Sequence, residues 1–326
     1  MNKYPWIINQ YHDLINKYSN STLHPIILIQ SSLGIGTSQL ILNISKWILC
    51  FHKKKYSNCN NCQSCLLFNY KNHPDFYNIS NVINNKYIGI NLVRNVINNI
   101  YKTSQQGGAK IIYFSNINIF TAESNNALLK TLEEPPKNTI FFLRTTNITQ
   151  IINTIKSRST IYYISNPKEK VSVNWLKTFN KNYSYIHLIT ALRINNYSPI
   201  LAHKFLNNNE FDKRNIFMNA IQKYITYKEN VLLTIIFKYD SSIITKYISY
   251  LLLDIIKYRI CRKYKIKNLD QVQLIKKIAC INTNQTLINS LISWIQYVQI
   301  LSSSYTIDKK LIFIEQILSW IKILRI

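Results

Sequence analysis

The stretch Ser31-Ser32-Leu33-Gly34-Ile35-Gly36-Thr37-Ser38 has the outline of a phosphate-binding loop that lacks its chief charged group. It follows the apolar run Ile26-Ile27-Leu28-Ile29, which reads as a short buried strand, and precedes a helical pattern formed by Leu40, Ile44, Trp47 and Ile48. In a working loop of this type, backbone N–H groups cradle the phosphates, a lysine after the second glycine reaches the terminal phosphates, and the next Ser or Thr hydroxyl holds magnesium. Here Thr37 stands at the lysine position and Ser31 at the position of the first glycine. Without that point charge the main neutralisation of a triphosphate is gone. Gly34, Gly36, Thr37 and Ser38 therefore read as a degenerate loop, with no cofactor and no ATP hydrolysis expected there. Taken alone, the same residues also fit an ordinary Gly-containing turn between strand and helix.

A second constellation is made of sulfur. Four of the six cysteines, Cys50, Cys59, Cys62 and Cys65, fall within sixteen positions. Zinc takes four soft ligands tetrahedrally, and a two-residue gap lets one turn present two sulfurs, so the quartet suits a structural zinc ion. Four cysteines leave no open coordination position, which points to stability and not to catalysis. An iron–sulfur cluster also accepts four cysteines, and spacing alone leaves it open. Disulfides are disfavoured in an intracellular chain. His52 and His73 are near enough in sequence to replace one sulfur, although a lone nearby histidine is more often structural. Cys261 and Cys280 fall in helical patterns and read as small buried apolar residues.

Length and composition set the frame for both sites. With 326 residues, 47% hydrophobic and 17% charged, the chain can form two or three domains with a sizeable core. No apolar run reaches the ~18 to 20 residues that span a bilayer, and the start, Met1-Asn2-Lys3-Tyr4-Pro5-Trp6, lacks the apolar core of a secretion signal. A soluble, cytoplasmic protein is expected. The net charge of +26 invites a nucleic-acid reading, but only 8 of the 40 basic residues are Arg, and Lys, Asn, Ile and Tyr are all abundant. That bias favours a solvated lysine coat, while Lys257, Arg259, Arg262, Lys263, Lys265 and Lys267 still concentrate charge in one segment.

Five short apolar runs read as strands: Ile26 to Gln30, Asp75 to Ile79, Lys110 to Ser115, Thr139 to Thr145 and Thr160 to Ile164. Helical patterns alternate with them, notably Ile90 to Ile100 and Ser124 to Glu133, which implies a parallel sheet covered on both faces. The cysteine segment becomes an insertion between the first crossover helix and the second strand. Beyond Asn166-Pro167 the pattern is helical throughout, with Ile186 to Ile194, Ser198 to Leu206 and, after a polar break at Glu210-Phe211-Asp212, longer helices. Two stripes, Leu287, Leu291, Trp294, Val298, Leu301 and Leu311, Ile314, Leu318, Ile321, are expected to face a bundle core or a partner subunit.

The segment Asn126-Ala127-Leu128-Leu129-Lys130-Thr131-Leu132-Glu133-Glu134-Pro135-Pro136 closely resembles the signature of bacterial clamp-loader subunits of the AAA+ family. With the cysteine quartet, His73-Pro74-Asp75 and Ser157-Arg158-Ser159, the chain is similar to the delta-prime branch of the DNA polymerase III clamp loader. The resemblance is strong to about residue 165, fair to about 207 and general beyond. It implies an α/β plus all-α architecture: an AAA+ RecA-like parallel sheet with a zinc-module insertion over 1–165, a small helical lid domain over 166–207 and a helical collar domain over 208–326.

Hydrolysing members of the family carry the loop lysine and a pair of acids after the third strand. This chain has Thr37, Ser115 and Asn116 there, so both halves of the metal and phosphate machinery are missing together. The resemblance further implies that Arg158 acts catalytically in trans, as an arginine finger in a neighbouring subunit's ATP site. A planar, permanent cation suits that role. The third residue departs from the family's Ser-Arg-Cys. The implied partners are gamma/tau ATPase subunits, a delta subunit, the sliding clamp and primed DNA, in a hetero-oligomer belonging to a DNA-directed DNA polymerase holoenzyme. No membrane partner is expected. An autonomous ATPase of the same fold and a zinc-dependent DNA-binding module are the alternatives.

Overall fold

The computed structural model describes residues 4–79, 87–227, 241–260, 266–303 and 309–323. The chain divides into two compact units, Met1–Pro167 and Lys168–Ile326. In the first, helix α1 (Ile8–Ser19) precedes strand β1 (Ile26–Ser31), and then follow α2 (Thr37–Leu49), α3 (Gln63–Asn69), β2 (Phe76–Ile79), α4 (Ile90–Ile100), β3 (Lys110–Phe114), α5 (Ala122–Glu133), β4 (Thr139–Thr145), α6 (Asn153–Ser157) and β5 (Thr160–Ile164). All strand pairs are parallel, in the order β2-β3-β4-β1-β5.

The near-continuous apolar runs are what a sheet buried on both faces requires. Alternation along each strand divides them between two cores. Ile27 and Ile29 of β1, Ile111 and Tyr113 of β3 and Phe142 of β4 pack with α1 and α2, through Leu14, Leu40 and Ile44. Ile26 and Leu28, Ile112 and Phe114, and Phe141 and Leu143 face the other way, toward Val93 of α4, Leu128 and Leu132 of α5 and Ile155 of α6. Strands β4 and β5 have the spans expected from the sequence, whereas β1 gains Ser31 and β3 stops at Phe114. Helix α5 starts at Ala122 because Thr121 caps it, its hydroxyl accepting the Ser124 N–H at 3.2 Å.

Among the described residues the regular elements of the second unit are helices: α7 (Glu169–Phe179), α8 (Tyr185–Ile194), α9 (Pro199–Asn207), α10 (Glu210–Tyr227), α11 (Ser241–Ile260), α12 (Val272–Ile281), α13 (Asn284–Ser303) and α14 (Lys309–Ile323). Buried charges join its parts. Arg214 of α10, fully buried, pairs with Asp270 at 2.7 Å and donates to Asn268 Oδ1 at 2.6 Å. Asn268 in turn gives its N–H and its side-chain amide to Asp254 of α11, at 2.8 and 2.7 Å. Arg193 of α8 bonds Glu169 and the carbonyl of Ile266. Each buried charge thus meets a counter-charge or several dipoles, the condition under which such groups are tolerated.

The bundle-core alternative for the two apolar stripes, and the burial expected of Cys280, are corrected here. On α13, Leu287 and Trp294 are buried, but Val298 is 40% exposed and Tyr297 is buried in its place. On α14 the buried line is Phe313, Ile317 and Trp320, one residue earlier than expected, and Leu318 is 50% exposed. Large aromatic rings decide the rotation. Trp294 stacks near Tyr297 and Trp320, Tyr297 near Phe313, and the Trp294 Nε1–H reaches Ser249 Oγ at 2.7 Å. Cys280 is exposed, while Cys261 lies outside the described residues. Of the basic segment, Arg259 donates to the carbonyl of Ala279 near the end of α12, and Lys267 lies over the Tyr250 ring at 3.8 Å. Arg262, Lys263 and Lys265 lie outside the described residues.

Candidate functional site

The carboxyl ends of β1, β3 and β4 meet the start of α2 at the degenerate loop. Chain connections leave β1 toward β2 on one side and return to β5 on its other side, the topological position where open parallel sheets place ligands. Gly34 and Gly36 adopt φ of +73° and +99°, a region that penalises any Cβ, so the loop needs both. Between them Ile35 is fully buried, and its carbonyl accepts the Trp6 indole N–H at 2.8 Å.

Of the two side chains in the phosphate and metal positions, Thr37 is turned inward and Ser38 is exposed. Thr37 is buried at the first helical position, and its hydroxyl has no hydrogen-bond partner among the described residues. Ser38 Oγ accepts the Tyr113 hydroxyl of β3 at 2.9 Å, and burial holds that phenol above its ordinary pKa. After β3, Asn116 caps a short 3-10 turn by accepting the Asn118 N–H.

A cation does stand here, but it comes from β4. Arg144, 7% exposed, donates from Nε to Ser31 Oγ at 3.2 Å, from Nη1 to the Ser115 carbonyl at 3.2 Å and from Nη2 to the Ser32 carbonyl at 3.4 Å. No ion pair among the described residues includes it, and burial draws its pKa below the ordinary arginine value. Sequence reading missed this residue. The only signal was an arginine directly after the apolar run Ile140-Phe141-Phe142-Leu143, within the expected strand.

The four cysteines converge as expected. Their Sγ atoms lie within 4.8 Å of one another, with Cys50 to Cys59 at 3.5 Å, Cys50 to Cys62 at 3.9 Å and Cys59 to Cys65 at 3.9 Å. Four sulfurs at ~2.3 Å from one tetrahedral ion would be about 3.8 Å apart, so the cluster fits a single metal ion with little movement. Backbone N–H groups of Cys59 and Cys62 point at Cys50 Sγ and Cys59 Sγ, at 3.4 and 3.3 Å. The Cys62 N–H, first among the causes, draws the Cys59 thiol down to about 6, while burial and neighbouring thiols push Cys65 up to about 12. One thiolate forms readily, and the next is opposed by the first until a cation shares the charge.

His73 stands outside this cluster and supports it from behind. Its Nδ1 accepts the Asp75 N–H at 3.1 Å, which leaves Nε2 to donate to Ser64 Oγ at 2.9 Å, and Ser64 donates to the Leu49 carbonyl at 2.7 Å. Burial lowers the His73 pKa. His52 is exposed.

Arg158 is the residue after α6, at the surface of the same unit. Its Nη1 donates to the Thr154 carbonyl at 3.0 Å, and its Nη2 pairs with Glu133 at 2.7 Å. Glu133 belongs to the Leu-Glu-Glu-Pro-Pro end of α5, where Pro135 and Pro136 stop the helix.

Comparison with known proteins agrees with this geometry. Residues 8–168 match the family model described as "DNA polymerase III, delta subunit", and residues 208–322 match "DNA polymerase III, delta subunit, C terminal". Over 329 aligned positions the chain is 38% identical to a DNA polymerase III subunit delta' from Buchnera aphidicola subsp. Acyrthosiphon pisum, covering 99% of each chain. A relative of the same description from Buchnera aphidicola subsp. Schizaphis graminum is 36% identical over 325 residues, covering 99% of this chain and 98% of its own. The chain belongs to the DNA polymerase III subunit delta' family. Likeness also reaches a DNA polymerase III subunit gamma from the latter organism, 29% identical over 162 residues, which is 50% of this chain and 44% of that one. Among the described residues, no helix is long and apolar enough to cross a membrane.

Three outcomes follow from these contacts. Chelation or Cys59→Ala should lower the melting temperature by several degrees, and inductively coupled plasma analysis of the untreated protein should find one metal ion per chain. Arg144→Met, which strips three acceptors of a charged donor, should cost about 1 to 3 kcal/mol in urea unfolding. His73 must stay neutral when folded but can protonate when unfolded, so between its lowered folded pKa and its ordinary value the unfolded chain binds more protons. Stability then falls as pH drops through that window, and the fall between pH 7.5 and 5.5 should be shallower for His73→Gln.

Proposed function

We propose that this chain is a non-hydrolysing subunit of the DNA polymerase III clamp loader, which helps to place the sliding clamp on primed DNA. The observation that carries the reading is the internal use of the loop. Tyr113 donates to the Ser38 hydroxyl, Arg144 binds Ser31 and Ser32, and Thr37 supplies no charge where a triphosphate would need it. With no lysine in the loop and with Arg144 committed to the protein's own Ser31 and Ser32, the site has little positive charge left to bind and polarise a terminal phosphate. Arg158, by contrast, remains at the surface on a well-anchored helix end, and it would complete the ATP site of a neighbouring gamma/tau subunit in trans.

Within this reading residues 166–207 serve as a lid domain and 208–326 as a collar, through which the chain joins the ATPase subunits and a delta subunit. The four cysteines hold a structural zinc ion; hard oxygen-seeking ions do not favour four thiolates. The work is done in the cytoplasm, at the replisome.

Reconstitution with the ATPase partners tests the proposal. Arg158→Ala should leave subunit composition unchanged and remove part of the DNA-stimulated hydrolysis, since one of several ATP sites loses its finger. Undiminished hydrolysis would take Arg158 out of the mechanism. Turnover of ATP by the isolated chain, abolished by changing Thr37 or Ser38, would replace this reading with that of an autonomous ATPase.

A further inference from the structure

The guanidinium of Arg158 is not loose in solvent. It is held from two sides, by the Thr154 carbonyl of its own helix and by the Glu133 carboxylate of α5. Both supports belong to helices anchored in the core. Leu128 and Leu132 anchor α5 in the sheet's second core, the two prolines fix where the helix stops, and Ile155, fully buried, anchors α6 directly beside Arg158. The Arg158 backbone N–H is also bonded, to the Ile155 carbonyl at 3.3 Å. Adjacent Glu134 makes no ion pair among the described residues, so the pairing is specific to one carboxylate of the two.

An arginine has five N–H groups, and these two contacts use two of them. The remaining donors are free to meet phosphoryl oxygens while the fork stays oriented. An unsupported arginine would lose the rotamer freedom of a long side chain at the moment of reaction, whereas a braced one has lost it beforehand. We infer that Glu133 is a positioning residue for Arg158, holding the guanidinium ready for the triphosphate of a neighbouring ATPase subunit. The inference rests on the trans-acting role of Arg158 proposed above.

The test uses the reconstituted loader and the Arg158-dependent share of DNA-stimulated hydrolysis, defined as the difference between the unaltered complex and Arg158→Ala. An exposed ion pair contributes up to about fivefold in an equilibrium, so Glu133→Ala should lower the kcat of that share by about three- to fivefold and leave KM for ATP unchanged. Glu133→Gln keeps an acceptor oxygen and should retain at least half of the share. Glu134→Ala, which removes the same charge one residue away, should retain all of it. Adding Glu133→Ala to Arg158→Ala should cause no further loss. A lower KM or faster turnover in Glu133→Ala would overturn the inference by making the carboxylate a competitor for the finger, and so would an equal loss in Glu134→Ala. If Arg158→Ala itself has no effect, the trans-acting role fails. If Arg158→Ala lowers hydrolysis and Glu133→Ala does not, only the brace fails.

Discussion

A buried guanidinium holds the degenerate pocket together. Arg144 stands at the carboxyl end of β4 and joins the first residues of the loop to the end of β3, three segments far apart in the chain. In a nucleotide-binding protein the cations at such a crossroads face the ligand. Here the cation faces the protein's own hydroxyl and carbonyl groups, and Tyr113 donates to the Ser38 hydroxyl. The loop keeps its shape through internal bonds, with its two left-handed glycines and the Trp6 contact completing the frame. Burying an arginine without a carboxylate is costly, and the three acceptors are what make it tolerable.

The same sheet that carries this pocket also carries the Glu133–Arg158 pair at its surface. Crossover helices α5 and α6 pack side by side on one face, and their ends bring Glu133 and Arg158 together although 25 residues separate them. On the other side of the chain's path, the cysteine module leaves α2 at Cys50 and returns through α3 to the edge strand β2. Ser64 and His73 bind this return to the end of α2, so the thiolate cluster and the sheet edge share one hydrogen-bonded support.

In the second unit the order comes from buried charge as much as from apolar packing. Arg214, Asp270, Asn268 and Asp254 form one connected network, and Arg193 reaches the same short segment through Ile266. None of these pairings has a local sequence signature, because each joins residues 14 to 73 positions apart. The aromatic cluster around Trp294, Tyr297, Phe313 and Trp320 is a similar case. Counting apolar residues at a helical period found the helices, but Tyr297 is buried beside the exposed Val298, and Phe313, Ile317 and Trp320 form the buried line of the last helix.

What the amino-acid order determined by itself was everything short-ranged. Strand runs, crossover helices, the proline stop after Glu134 and the Cys-x-x-Cys-x-x-Cys spacing all follow from period, branching and backbone sterics within a few residues. The absence of lysine at Thr37 and of acids at Ser115 and Asn116 was equally legible, because a missing charge needs no fold to be missed. Only tertiary structure decided what stands in their place. Whether Arg144 points into solvent or across three strand ends, whether His73 joins the sulfurs or braces them, and whether Arg158 hangs free or leans on Glu133 are questions of distance between remote segments, and electrostatic and hydrogen-bond energies are set by that distance.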